Sequence, residues 1–321
     1  MATLPDAPTP LTGPGAEQTG EHGSLPCGIP QGGPEILGDD CWCLAGPTAA
    51  GKSAVAIPLA EQLDAEIVSA DSMAVYVGLD IGTAKPTPSQ RARVPHHLLD
   101  IVPASAPFSV ALWLEAATAA IADIRRRGRR ILVTGGTPLY LKALRDGLDP
   151  VPEADPAARA GLAAEALAFG PAVLHARLAA VDPVAARRIH PADLRRIIRA
   201  LEIAAAGGRA ATGWSRDLPP PWAGRFLVLD RPRRLLARRI DRRVEKMFAT
   251  GLVDEVRMAL ATGGLGPTAG QAAGYAECLD LLAGRCTPAE AVARTQQRTR
   301  QLAKRQRTWL RSFPEALWIS A

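Results

Sequence analysis

No stretch of this 321-residue chain approaches the roughly 18–20 consecutive apolar residues of a membrane-spanning helix, which argues against a helical membrane protein. Cysteine is scarce: Cys27, Cys41, Cys43, Cys278 and Cys286 make an odd number, with no C-x-x-C pair and no histidine at zinc-finger spacing. A disulfide framework and a structural zinc site are both excluded on that basis, and the thiols read as small buried apolar groups of a reduced, cytoplasmic enzyme. Lysine is nearly missing as well, with 5 against 33 arginines. Codon composition can set that ratio, but it does not decide where the charges cluster. Residues 1–38 contain no Lys or Arg at all, and neither an apolar core nor apolar periodicity, so they form neither a secretory signal nor an Arg-rich transit peptide. They hold seven Pro and eight Gly, the composition of a disordered tail or of a start codon assigned too far upstream.

What remains is apolar enough (47%) for an ordinary globular protein, and basic. The net charge is +6, and the tail contributes four acids, so residues 39–321 carry +10. A body of that sign suits an anionic partner such as nucleic acid.

From Asp40 the pattern alternates strand and helix. "CWCLAG" (41–46) is an apolar run, "KSAVAIPLAEQL" (52–63) reads as a helix that Pro58 should kink, and "EIVSAD" (66–71) is a second strand. Helix 108–128 follows, then strand 129–136 and helix 138–145. Such alternation predicts an α/β fold with a parallel sheet and crossover helices. After Pro150 the chain turns Ala-rich, and residues 153–208 carry helical spacing without a convincing strand. "RFLVLD" (225–230) resumes the sheet, with helices expected over 232–260 and 288–310 and a last strand near 317–319. The expected organisation is a tail (1–38), a P-loop core (39–150), an all-helical insertion (151–215) and the second part of the core with basic C-terminal helices (216–321).

The strongest chemical signal is Gly46-Pro47-Thr48-Ala49-Ala50-Gly51-Lys52-Ser53, a match to G-x-x-x-x-G-K-[ST] with a strand before it and a helix after. Its glycines let the backbone aim successive N–H groups at a phosphate, Lys52 adds charge, and Ser53 can offer a hydroxyl to Mg²⁺. A nucleoside triphosphatase would also want an acid at a strand end, yet "ILVTGG" ends in Thr134-Gly135-Gly136-Thr137. Asp71, after the second strand, is the remaining candidate, as magnesium ligand or general base; the competing reading is a helix cap in Asp71-Ser72. The run 296–311 holds six basic side chains (Arg298, Arg300, Lys304, Arg305, Arg307, Arg311) and no acid. It is equally a solvated helix face or an RNA contact, and Trp309 within it either stacks on a base or belongs to the core.

Five motifs then occur in order: "GPTAAGKS", "SADSMAVYVGLDIGTAKPT" (69–87), "PHHLLDIV" (95–102), "VTGGTPLYLKAL" (133–144) and "QLAKRQRTWLR" (301–311). Together they closely resemble the bacterial tRNA dimethylallyltransferase family, from about Asp40 to Ser320. The resemblance implies transfer of a dimethylallyl group from dimethylallyl diphosphate to N6 of adenosine 37 of tRNA. It implies that the loop 46–53 binds the diphosphate, with Arg239 and Arg243 assisting and Mg²⁺ at Ser53. It implies Asp71 as base, with Thr137 and Lys52 at the reacting groups. It implies tRNA contacts at Asp71, Ser72, Met73 and Ala74, at Thr137 and Arg159, and at Arg195, Arg196, Ile197, Ile198 and Arg199. The same holds for Gln271, Ala272, Ala273, Gly274, Tyr275 and Ala276, and for Lys304, Arg305, Gln306, Arg307, Thr308, Trp309, Leu310 and Arg311. The insertion would grip the anticodon stem-loop. No obligate protein partner is implied, and a monomer is expected.

Three positions depart from the family pattern. Ala74 stands where many relatives have Gln, Ala276 replaces a commonly basic residue, and Pro58 is unusual. Other readings stay open from the residues alone: an adenylate prenyltransferase, a small-molecule kinase, or an RNA-binding protein with a degenerate phosphate loop. A basic C-terminal half favours tRNA over free nucleotide, the missing acid counts against a kinase, and intact Lys52, Ser53 and Asp71 count against a degenerate loop.

Overall fold

The computed structural model describes residues 36–148, 155–208, 210 and 222–320. The expected tail through residue 35, the change of character at Pro150 and the insertion's end near residue 215 lie outside the described residues. In chain order the elements are β1 (Cys41–Ala45), α1 (Lys52–Leu63), β2 (Ala65–Ser69), α2 (Pro88–Arg93), β3 (His96–His97), α3 (Val110–Arg126), β4 (Arg130–Gly135) and α4 (Pro138–Asp146). Four helices come next: α5 (Pro156–Phe169), α6 (Pro171–Val181), α7 (Pro183–Arg188) and α8 (Leu194–Ala205). The chain ends with β5 (Phe226–Asp230), α9 (Arg233–Ala249), α10 (Leu252–Ala261), α11 (Pro267–Gly270), α12 (Tyr275–Leu282), α13 (Pro288–Leu310) and β6 (Leu317–Ser320).

The strands form one sheet in the order β3-β2-β4-β1-β5-β6, every pair parallel. Alternation along the strands explains the two layers. On β1, Cys41, Cys43 and Ala45 enter the core beneath α3 and α4, while Leu44 joins Ala56, Ile57 and Ala60 of α1 on the other face. Ile131 and Val133 against Leu132, and Val68 against Ile67, repeat the division. Each such aliphatic side chain, fully buried, contributes about 1.5–3 kcal/mol before conformational entropy is set against it.

Several local expectations are corrected. Ile36 and Leu37, assigned to the tail, pack on the main core, with Leu37 only 3% exposed. The short strand β3 has two residues and no alternation, so nothing in the sequence marks it. The helix expected over 232–260 breaks at Thr250–Gly251, because Gly251 turns the backbone left-handed (φ 105°) and starts α10. Helix α1 runs from Lys52 to Leu63 through Pro58. Helices α5–α8 bury their own apolar cluster around Leu174, Leu178 and Ile197, separate from the sheet's two layers.

Because all strands are parallel, their carboxyl ends meet at one edge of the sheet, where open α/β folds form ligand crevices. Register sets Ala45 beside Gly135 and Val228, and Ser69 beside Thr134. The loops leaving β1, β2, β4 and β5 therefore converge.

Candidate functional site

The phosphate loop leaves β1 at Gly46, whose φ is 153° and where a Cβ would lie 2.6 Å from the Leu229 carbonyl oxygen. Only glycine fits that approach. The backbone then turns left-handed at Ala49 (φ 63°) and Gly51 (φ 110°) before α1 begins. The half-buried Lys52 turns its ammonium onto the carbonyls of Gly46 (2.9 Å) and Pro47 (3.0 Å). Desolvation there pushes the ammonium down to about 8; Asp71 opposes the shift and Arg243 adds to it. Ser53 is exposed on the first turn of α1. In the first turn the Ala54 N–H returns to the Gly51 carbonyl (3.1 Å), which leaves the N–H groups of Lys52 and Ser53 for an anion.

Side chains from distant elements brace the loop. Arg231 Nε donates to the Ala50 carbonyl (2.7 Å) and Arg239 Nε to the Ala49 carbonyl (2.9 Å). Gln306 Oε1 accepts the Thr48 N–H (2.8 Å), and its Nε2 donates to the Gly136 carbonyl (2.6 Å).

The ends of β2 and β4 are locked together before Asp71. The Ala70 N–H donates to the Thr134 carbonyl (2.8 Å) and the Thr137 N–H to the Ala70 carbonyl (3.2 Å). Trp113 of α3, stacked on Tyr140 at 4.4 Å, donates its indole N–H to the Ser69 carbonyl (3.0 Å). Asp71 Oδ1 accepts the N–H groups of Met73 (2.9 Å) and Ala74 (3.3 Å), so one oxygen caps a turn; the expected helix cap is corrected, because no helix begins here. Thr137 Oγ1 accepts the Ser72 N–H (3.1 Å) and lies 3.3 Å from the Ser72 hydroxyl.

A cavity of about 560 Å³ brings these groups together, lined by Lys52, Ser53, Asp71, Gly136, Arg239, Arg243 and Gln306 among others. Arg243 reaches the Thr83 carbonyl (3.4 Å), and burial lowers its guanidinium pKa below the ordinary value while Asp71 opposes this. No cluster of three or more His, Cys, Asp or Glu able to hold a metal occurs among the described residues. The donors at hand, the Ser53 hydroxyl and a carboxylate oxygen of Asp71, are hard oxygen ligands of the kind Mg²⁺ takes when substrate phosphates and water complete its shell.

Other expected contacts lie elsewhere. Arg159 is held by a two-pronged ion pair to Glu202 (2.7 and 2.8 Å), which Arg199 also reaches (3.2 Å). The side chains of Ile197 and Ile198 belong to the insertion's core, whereas Arg195 and Arg196 beside them are exposed. In 271–276, Tyr275 is buried and its hydroxyl donates to Glu255 (2.8 Å), while Gln271 is exposed and Ala272, Ala273 and Ala276 are half-buried. The motif 304–311 divides along the helix. Lys304, Arg305, Thr308, Trp309 and Arg311 face out, Leu310 is core, Gln306 turns to the loop, and Arg307 pairs with Asp230 (2.5 Å). Trp309, 40% exposed, is not a core residue.

Arg231 and Glu255 went unnoticed in the sequence. An arginine directly after a strand-end acid was a usable signal for the first. For Glu255, which accepts the N–H groups of Asp80 (2.7 Å), Ile81 (2.6 Å) and Gly82 (3.1 Å), there was none, because its partners lie about 175 residues away.

The architecture has known counterparts. The IPP transferase family model matches residues 74–313, and the isopentenyl transferase model matches residues 40–99. The chain is 50% identical over 279 residues to a tRNA dimethylallyltransferase of Anaeromyxobacter sp. (strain Fw109-5), covering 86% of this chain and 93% of that one. It is 47% identical to the tRNA dimethylallyltransferase of Geobacter metallireducens, over 85% and 90% of the two chains. Among solved structures, the full-length tRNA isopentenylpyrophosphate transferase of Bacillus halodurans superposes with a TM-score of 0.63 at 39% identity, covering 87% of this chain and 89% of that one. A eukaryotic dimethylallyltransferase acting on tRNA gives 0.69 at 27% identity, over 87% and 73%. With a family model over most of its length and relatives near half-identical over more than four-fifths of it, this chain belongs to the IPP transferase family.

Proposed function

We propose that this protein transfers the dimethylallyl group of dimethylallyl diphosphate to N6 of adenosine 37 in tRNA, releasing diphosphate. The observation that carries this reading is a single cavity that joins a phosphate loop, three arginines (Arg239, Arg242 and Arg243) and the Asp71 carboxylate just past β2. That set suits a diphosphate leaving group beside a proton acceptor better than it suits phosphoryl transfer.

In the reaction the allylic C–O bond breaks with its electron pair going to diphosphate, the N6–carbon bond forms, and N6 gives up a proton. Lys52, Arg243 and the loop N–H groups stabilise the charge gathering on the leaving group. Asp71 takes the proton, its carboxylate held in place by the Met73 and Ala74 N–H groups. Thr137 holds the Ser72 turn that orients Asp71. Ser53 would hold Mg²⁺, which would supply Lewis-acid assistance to the leaving group.

The target base cannot react while stacked, so it must leave the anticodon loop for the cavity. Helices α5–α8, with Arg195 and Arg196 exposed, would hold the anticodon stem-loop. The outward face of α13, with Lys304, Arg305, Arg311 and Trp309, would meet RNA phosphates and a base. No described helix is long and apolar enough to cross a membrane.

The test is to incubate the protein with prenyl-labelled dimethylallyl diphosphate or γ-labelled ATP, offering tRNA or AMP. Prenyl label on tRNA alone is expected. Label on AMP, or phosphate transfer to either acceptor, would replace the reading.

A further inference from the structure

We propose that Gln306 is a positioning residue of the diphosphate loop and not an RNA contact. The inference rests on the reading that this loop binds diphosphate, and it assigns part of the basic C-terminal motif to the donor. Gln306 lies on the inward side of α13, between two exposed cations and the Arg307–Asp230 pair. Its amide is spent at both ends: the oxygen takes the Thr48 N–H at 2.8 Å and the nitrogen gives to the Gly136 carbonyl at 2.6 Å. These partners belong to the loop after β1 and the turn after β4, adjacent strands whose ends frame the cavity. A Cβ at position 136 would come 2.8 Å from the amide nitrogen, so the glycine gives the amide its room.

Two consequences follow from hydrogen-bond chemistry. Thr48 turns its N–H away from the anion, so the loop must bind diphosphate with donors further along, near Gly51 and the start of α1. The amide also ties the loop's left-handed turn at Ala49 to a rigid strand end, which makes the donor geometry ready before the anion arrives. Because the tie comes from α13, the helix whose other face carries Lys304 and Arg305, a shift of that helix on meeting RNA would reach the loop directly.

Carboxamide geometry distinguishes the variants. Gln306→Glu keeps an acceptor for Thr48 but sets a carboxylate oxygen against the Gly136 carbonyl and adds negative charge beside the loop. Gln306→Ala removes both bonds. Bind inorganic diphosphate with Mg²⁺, and separately full-length tRNA, to the wild type and both variants, with a thermal melt of each. The expected result is a diphosphate dissociation constant raised about tenfold by Gln306→Ala, from two lost hydrogen bonds. Gln306→Glu should raise it further, and tRNA affinity should stay within twofold. Weakened tRNA binding with unchanged diphosphate binding would overturn the proposal and return Gln306 to the RNA surface. Equal loss of both with a lowered melting midpoint would reduce it to a structural contact, and no change in either would also overturn it. A wild type that fails to bind diphosphate would overturn the functional reading and this proposal together; failure confined to the variants would touch only Gln306.

Discussion

Asp71 combines two roles that sequence reasoning set against each other. One oxygen caps its own turn, and no described group engages the other, so the cap orients the base rather than replacing it. Asp71→Ala should lower kcat by about 10²–10⁴-fold, the usual contribution of a general base, with tRNA affinity largely kept. Prenylation near the wild-type rate would leave Asp71 as a cap alone. Lys52 makes a separate prediction in pH. Its ammonium titrates near 8 in the free protein, so the charge is full below that value and lost as pH rises through it. Affinity for dimethylallyl diphosphate should therefore fall above pH 8, by up to tenfold per unit, well before an ordinary lysine would titrate. Titration of binding from pH 6.5 to 10 checks this, and a flat profile would contradict it. Stability has the opposite sign: between about 8 and the ordinary lysine value the unfolded chain holds the proton, so this residue's contribution to stability rises with pH there.

At the scale of elements, the segment between β2 and α2 is held at two points. Lys85, buried, donates to the Tyr76 carbonyl (2.6 Å) and to the carboxylates of Asp80 (2.8 Å) and Asp100 (2.5 Å). Glu255, in the first turn of α10, takes three consecutive N–H groups at 80–82 and the Tyr275 hydroxyl. Between these anchors Thr83 and Ala84 line the cavity, and Pro86 lines it just beyond Lys85. Glu255→Gln presents an amide NH₂ to groups that are all donors, costing about 1–3 kcal/mol for the donors left unpaired. A lowered melting midpoint and a raised KM for the prenyl donor are expected together; an unchanged KM would detach the segment from the site. The insertion shows the same economy of charge. Burial alone would raise Glu202, but Arg159 and Arg199 hold its carboxyl below the ordinary range. That stabilisation is present above the ordinary glutamate pKa and lost as pH falls through the folded value.

For the molecule as a whole, the excess positive charge divides into cations already paired and cations left for a polyanion. Arg307 is bound to Asp230, and Arg300 to Asp241, whereas Lys304, Arg305 and Arg311 are exposed. If Arg305 and Arg311 each neutralise one RNA phosphate, Arg305→Ala/Arg311→Ala should reduce the slope of log K against log[salt] by about 1.4. Arg307→Ala should leave that slope nearly unchanged. Measuring tRNA affinity from low to moderate salt separates the cases: parallel lines for the double variant would remove α13 from the RNA surface.

Local pattern was enough for the parallel α/β core, the phosphate loop and the run of helices between β4 and β5, because strand alternation, glycine spacing and helical periodicity are short-range properties. Asp71 was singled out for the same reason, because it follows a strand of a parallel sheet, whereas Thr137 came in through the family resemblance alone. Burial along α8 and α13 was not. Ile197, Ile198, Gln306, Arg307 and Leu310 sit within basic runs that read as surface, and only the facing elements decide which side of a helix is covered. Glu255, Arg231 and Gln306 find their partners across about 170 to 260 residues of chain. No window of sequence contains both ends of such a bond, so its existence depends on the order of strands in the sheet, which folding alone brings about.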